Sequence, residues 1–300
     1  MPQTLAKQFS SDHVRFFMRE NLMMIEVKND FANALLTTHG GCVLNYRPNG
    51  GEELLWVSPT AVYHGKKPVR GGVPVCWPWF GKGAETGQPA HGFVRNMVWH
   101  LDDVRDLESG VTEVVMSCEA NENTLAVWPH SFHLQLKVEI GETLALTLTT
   151  TNPNDHDLVI TEALHTYFKV TQAAGLVIKG LEGATHLDKL AENAPAVTQT
   201  GALTLQPPMD SVFLNQTGRV TVEDAVGGRV ITIDKAHSMS SVVWNPGAEI
   251  VKGFDDIPAD DWPHFVCVES GNVLEDAVTV ASGEKHALKV VYAIESINAV

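Results

Sequence analysis

The sequence is short of several things, and each shortage removes a class of function. No stretch of about 18 apolar residues occurs in its 300 positions. The N-terminal "MPQTLAKQFSSDHVRFF" has no apolar leader core, so neither a spanning helix nor a signal peptide is expected. The four cysteines, Cys42, Cys76, Cys118 and Cys267, are widely separated and form no CxxC pair. Reduced thiols in a cytoplasmic protein are the simplest expectation, with Cys118 and Cys267 as small core side chains in strands. Positive charge is scarce: 21 Lys and Arg against 36 Asp and Glu give a formal net charge of −15. Such a surface repels nucleic acid and anionic membrane, both of which need a cationic footprint. The sequence has no GxGxxG after a strand, no GxxxxGK[ST], no HExxH and no GxSxG. The acidic "DDIPADD" at 255–261 does not fit a calcium loop, and the 13 histidines show no tight ligand spacing, so no metal is expected.

What is present is period-two alternation. The chain is 44% hydrophobic, enough for a substantial core. "TEVVMSCE" (112–119), "FHLQLKVEI" (132–140) and "TLALTLTT" (143–150) place apolar side chains on every second residue, the last two as a hairpin turning at Gly141 and Glu142. Further strands are expected at 22–27, 175–181, 219–224, 229–234, 240–244, 265–270 and 288–294. A short helix is expected in "ANENTLAVW" (120–128) and a helical turn in "DDWPHF". Many short strands separated by Gly, Pro, Asn and Asp, with no low-complexity linker, indicate one all-β domain over 1–300, a sandwich or barrel.

Five places carry candidate chemistry. Residues 66–95 hold five basic residues (Lys66, Lys67, Arg70, Lys82, Arg95) against Glu85, a local charge of +4 in an acidic chain. That island suits an anion, since the arginine fork can bond two oxygens of a phosphate; two structural ion pairs are the competing explanation. In "PAHGFVRN", His91 precedes Gly92 in a loop, where glycine could admit a ligand close to the backbone. In "TEALHTYFKV", alternation puts His165 and Tyr167 on one strand face, opposite Leu164 and Phe168. In "HFVCVESG", Phe265, Cys267 and Glu269 face one way and Val266 and Val268 the other. An acid on such an apolar face would have its pKa raised by burial and would serve as a base near neutral pH. Trp244 and Asn245 of "VVWNPG" combine an aromatic ring with an amide, a pairing that suits a sugar, although most of the seven tryptophans must belong to the core.

Seven segments, "RGGVPVCWPWFG", "AHGFVRN", "WPHSF", "ALHTYF", "MDSVFL", "VVWNPG" and "FVCVES", occur together and in order between about residues 40 and 270. In this they resemble the hexose-6-phosphate mutarotases (glucose-6-phosphate 1-epimerases) of the galactose-mutarotase-like superfamily. The resemblance implies a large antiparallel β-sandwich with few short helices. It also implies cofactor-free interconversion of the α and β anomers of a hexose 6-phosphate; a cytoplasmic location is expected from that substrate and the missing signal peptide, and a monomer is expected. It assigns the general acid to His165 and the general base to Glu269. Substrate binding falls to Arg70 and Arg95, which take the phosphate, together with His91 and Asp210. Some members carry glutamine before "HG" where this chain has Ala90. Competing expectations are an unphosphorylated aldose 1-epimerase, which the two arginines disfavour, and a carbohydrate-binding or regulatory protein without turnover. A glycoside hydrolase would need two carboxylates roughly 5–9.5 Å apart across the sugar, and one convincing acid was found.

Overall fold

The computed structural model describes residues 2–9, 11–191 and 193–297. Within them, strand formation follows the alternation closely. The His133–Ile140 strand buries every second side chain, and its neighbour Leu144–Thr151 pairs with it in register from His133↔Thr151 to Ile140↔Leu144. The connecting turn takes three residues rather than two, because Gly141 N–H bonds the carbonyl of Thr143. The expected short helix is Glu122–Val127. It begins where the Asn121 side chain accepts from the N–H groups of Asn123 and Thr124, and Thr124 Oγ1 accepts from Asn121 N–H, a reciprocal cap. The "DDWPHF" turn is a single 3₁₀ turn, Trp262–His264.

Two large antiparallel sheets form the body. One has nine strands, in the order Leu203–Thr204, Val177–Lys179, Val220–Asp224, Arg229–Ala236, Lys285–Ser296, Leu144–Thr151, His133–Ile140, Thr112–Glu119 and His100–Asp106. The other has eight strands: Val197–Thr198, Thr185–Asp188, Met209–Leu214, Ser240–Asn245, Phe265–Asn272, Glu162–Leu164 and Val75–Cys76, with Tyr167–Lys169 also pairing Phe265–Asn272. A four-stranded sheet from Val14–Arg19 to Cys42–Pro48 and a two-stranded pair, Leu158–Ile160 with Val278–Val280, complete it. The fold is therefore the all-β sandwich expected from the sequence.

The inner faces of the large sheets meet in one apolar cluster. Leu134, Leu136, Leu146, Leu148, Leu288 and Val290 come from the nine-stranded sheet, and Leu164, Phe168, Val243, Val266 and Val268 from the eight-stranded one. Each such side chain contributes roughly 1.5–3 kcal/mol by leaving water, which fixes which face of every strand turns inward. Polar contacts also tie the layers, among them Thr166 Oγ1 to the Tyr292 hydroxyl at 2.6 Å, Trp77 Nε1–H donating to Thr150 Oγ1 at 3.0 Å, and His286 Nε2 to Glu162 Oε1 at 2.8 Å. All four cysteines are buried and free. No helix among the described residues is long and apolar enough to cross a membrane.

Candidate active site

The Phe265–Asn272 strand organises the site. Val266 and Val268 enter the inter-sheet core, so the next positions, Cys267 and Glu269, turn to the opposite face of the sheet. On one side antiparallel pairing aligns Leu164 with Ser270 and Tyr167 with Cys267. Regular strand pairing lapses at His165 and Thr166, which split the expected single strand in two, but the register is the same on both sides of the break. It sets His165 directly against Glu269. On the other side Val242 opposes Glu269 and Trp244 opposes Cys267, while Val212 and Asp210 oppose Val242 and Trp244 in turn. Directly opposed residues point the same way. Asp210, Val212, Val242, Trp244, Glu269, His165 and Tyr167 therefore share one face and line a cleft of about 620 Å³. Arg70, Lys82 and His91 reach it from loops, and Arg95 from the 3₁₀ turn Val94–Asn96.

At its centre His165 Nε2 lies 3.3 Å from Glu269 Oε1, with Glu269 1% exposed and His165 9%. Burial raises the Glu269 carboxyl well above the ordinary carboxylate range; the charge of Asp210 adds to this and Arg95 opposes it. Burial likewise pushes the His165 imidazole well below its usual range, and His91, Arg95 and Arg70 reinforce the effect. Both shifts disfavour charge, so the site favours a protonated carboxyl beside a neutral imidazole over the ion pair. His165 Nδ1 and Glu269 Oε2 are buried without a hydrogen-bond partner. Such atoms are expensive to leave unpaired, and in a cleft they mark where a polar ligand would bond.

The cationic side of the cleft is built from two arginines. Arg70 Nε–H donates to Asp256 Oδ1 at 3.1 Å, Nη1–H donates to the Tyr167 hydroxyl at 3.0 Å, and the guanidinium lies 5.2 Å from the Phe254 ring centre. Burial opposes its charge, but Tyr167 and Asp256 outweigh burial and hold it protonated. Arg95 Nη2–H donates to the carbonyl of Ala90 at 2.7 Å, and its buried Nε–H has no partner. His91 is pushed down to about 4 by burial, with Arg95 and Arg70 beside it, and is neutral at physiological pH. Burial raises the Asp210 carboxyl, with Lys189 opposing.

Every sequence-predicted site residue, His165, Glu269, Arg70, Arg95, His91 and Asp210, thus lines one cleft. The expectations around them need correction in two respects. The close approach that Gly92 permits is to backbone, and Gly71 and Gly72 serve the same purpose. A Cβ on Gly71 would stand 2.3 Å from the carbonyl oxygen of Trp56, one on Gly72 2.2 Å from that of Val43, and one on Gly92 1.8 Å from that of Trp77. The basic island is also partly matched: Lys67 pairs with Asp255 at 2.7 Å and Arg70 with Asp256, both from the "DDIPADD" stretch. The two structural ion pairs of the competing explanation are therefore present. Of the tryptophans, Trp77 is fully buried, Trp79 bonds the carbonyl of Pro89, and Trp244 faces the cleft. Sequence reasoning missed Lys189, Phe254 and the role of Asp256. The acidic stretch opposite a basic island was the signal for Asp256; nothing in the sequence pointed to Lys189.

The geometry, an antiparallel supersandwich with a buried acid–base pair on its open face, defines a class that comparison with known proteins makes specific. The chain is 34% identical over 256 residues to an Escherichia coli protein named "Putative glucose-6-phosphate 1-epimerase", spanning 85% of each. It is 30% identical over 257 residues to a Cenchrus ciliaris protein of the same name, spanning 82% of this chain and 77% of that one. The crystal structure of a "putative mutarotase" from Salmonella typhimurium superposes with a TM-score of 0.89 at 29% identity, over 96% of this chain and 95% of that one. Residues 23–293 match the Aldose 1-epimerase family. The chain belongs to that family.

Proposed function

We propose that the chain interconverts the α and β anomers of a hexose 6-phosphate, with glucose 6-phosphate as the preferred candidate. The observation that carries this reading is the buried His165–Glu269 pair, with an unpartnered polar atom on each member, standing beside two arginines in one cleft. The names of the relatives support the substrate class.

Anomer exchange requires the C1–O5 bond to open, C1–C2 to rotate and the ring to reclose on the other face of C1. Glu269 as carboxylate removes the proton from the anomeric hydroxyl while His165 as imidazolium protonates O5. The open-chain aldehyde then lies beside a protonated Glu269 and a neutral His165. Reclosure reverses both transfers, so the pair ends as it began. Burial favours the neutral pair, and that is the protonation state matching the open aldehyde. Each positioned group contributes about 10²–10⁴-fold. Arg70 and Arg95 hold the phosphate, His91 and Asp210 contact the sugar, and Trp244 offers an apolar face to it. Phosphosugars are cytoplasmic metabolites, and on this reading the chain acts there, as a monomer, without a nucleic-acid partner.

Two variants follow. His165→Ala removes the acid, and kcat should fall by roughly 10²–10⁴-fold with the fold retained. Arg70→Ala removes charge-assisted bonds worth about 1.5–3 kcal/mol, so KM for glucose 6-phosphate should rise roughly 10- to 100-fold with a smaller change in kcat. Polarimetry on a solution enriched in one anomer measures both. Faster relaxation of glucose 6-phosphate than of glucose supports the proposal. Equal rates for the two sugars would favour an unphosphorylated aldose as substrate, and binding without any acceleration would favour a non-catalytic carbohydrate-binding protein.

A further inference from the structure

The anion end and the proton-transfer end of this cleft are joined by a short chain of contacts. Arg70 Nη1–H donates to the Tyr167 hydroxyl at 3.0 Å. The Tyr167 ring lies on the His165 imidazole, with ring centres 5.0 Å apart and planes within 16°. His165 Nε2 faces Glu269 Oε1 at 3.3 Å. Arg70, Arg95, His165 and Tyr167 also line a second, adjoining cavity of about 250 Å³. One layer of side chains therefore separates the place for an anion from the place for a proton.

The charges along this wall are unbalanced at rest. Burial is the first cause that disfavours an imidazolium at His165, and His91, Arg95 and Arg70 add to it, while burial and Asp210 raise the Glu269 carboxyl and Arg95 opposes them. Both effects favour the neutral pair, a protonated carboxyl beside a neutral imidazole. Ring opening requires the other arrangement, imidazolium beside carboxylate. A dianion between the arginines would cancel the charge that opposes it, at short range and in a site of low effective dielectric.

Building on the hexose-phosphate reading above, we propose that the phosphate is itself the switch for catalysis. Held by Arg70 and Arg95, the dianion draws the shared proton from the Glu269 carboxyl to His165 Nε2, with Tyr167 as the positioning residue between arginine and imidazole. The carboxyl O–H bond breaks and an imidazole N–H bond forms across the existing contact, and no further reactant is needed. The dianion then has no need to be attached to the sugar. Phosphite, a small dianion, should activate the protein toward unphosphorylated glucose.

The test measures anomer exchange of glucose by magnetisation-transfer NMR with and without phosphite, subtracting the buffer catalysis of phosphite alone. The expected result is a saturable increase of at least about tenfold, the factor that corresponds to one pKa unit. Phosphite should also move the ¹⁵N shifts of the His165 ring from neutral imidazole toward imidazolium. Tyr167→Phe keeps the ring stack and deletes the hydroxyl. In that variant the activation factor should shrink, and with glucose 6-phosphate the loss should fall on kcat more than on KM. Turnover of glucose 6-phosphate without any phosphite activation of glucose would overturn the switch, and undiminished activation in Tyr167→Phe would overturn the role of Tyr167. Failure to turn over glucose 6-phosphate at all would instead refute the hexose-phosphate reading, so the two failures are distinguishable.

Discussion

Glu269→Gln should lose most of the rate acceleration, roughly 10²–10⁴-fold, while folding at least as stably as the native protein. The substitution preserves shape and leaves one oxygen, but an amide cannot take the anomeric proton. The reason to expect an intact fold is physical. Glu269 is 1% exposed, its contact is with His165, and its second oxygen has no partner. An acid in that position is a cost to the folded state, offset only by its contact with His165. Replacing the buried carboxyl by an amide of the same shape should leave the thermal midpoint unchanged or raise it, because no ionisable group is then held in that position. Circular dichroism melting together with anomer-exchange kinetics checks both halves. A fully active Glu269→Gln, or one that unfolds, would contradict the assignment of Glu269 as base.

Gly92→Ala should be the most damaging small substitution near the site. Gly92 has φ of +70°, and a Cβ there would lie 1.8 Å from the carbonyl oxygen of Trp77 and 2.3 Å from its carbonyl carbon. Neither side can yield easily. Trp77 is fully buried, packs against Phe93, Trp128 and Phe132, and is held by its bond to Thr150. The expected loss is about 4–5 kcal/mol, in the range reserved for severe clashes. His91 adjoins the displaced backbone, so activity should also fall in whatever fraction folds. Gly50→Ala is the control: its φ is +74°, but no atom lies within 4 Å of the added carbon. That change should cost about 1–2 kcal/mol of backbone strain alone. Denaturant unfolding of the two variants separates clash from strain. Equal losses would show that the approach of residue 92 to Trp77 is not a tight constraint.

The faces of the strands were legible in the sequence, because a period of two is a property of single residues. Leu164 and Phe168 in the core, with His165 and Tyr167 in the cleft, follow from alternation alone. The same holds for Val266 and Val268 against Glu269. The pairing of His165 with Glu269 was not legible, since it depends on a register between segments about a hundred residues apart. The resemblance to a family supplied that pairing; the register Leu164↔Ser270 and Tyr167↔Cys267 gives its cause. Arg70 was visible as part of a basic island, but its partner Asp256 lies 186 positions away in sequence. Gly92 was noticed for its freedom, but not for its approach to Trp77, because sequence shows that a Cβ is absent without showing what it would have met. Lys189 reached the cleft with no local pattern at all.

The central claim is that this cleft opens and recloses the ring of a hexose 6-phosphate using His165 and Glu269. The most direct measurement is magnetisation-exchange NMR between the α and β H1 resonances of glucose 6-phosphate, with native protein and with Glu269→Gln. The account predicts exchange well above the buffer rate with native protein and near the buffer rate with the variant. Exchange at the buffer rate with native protein, despite bound sugar phosphate, would contradict it.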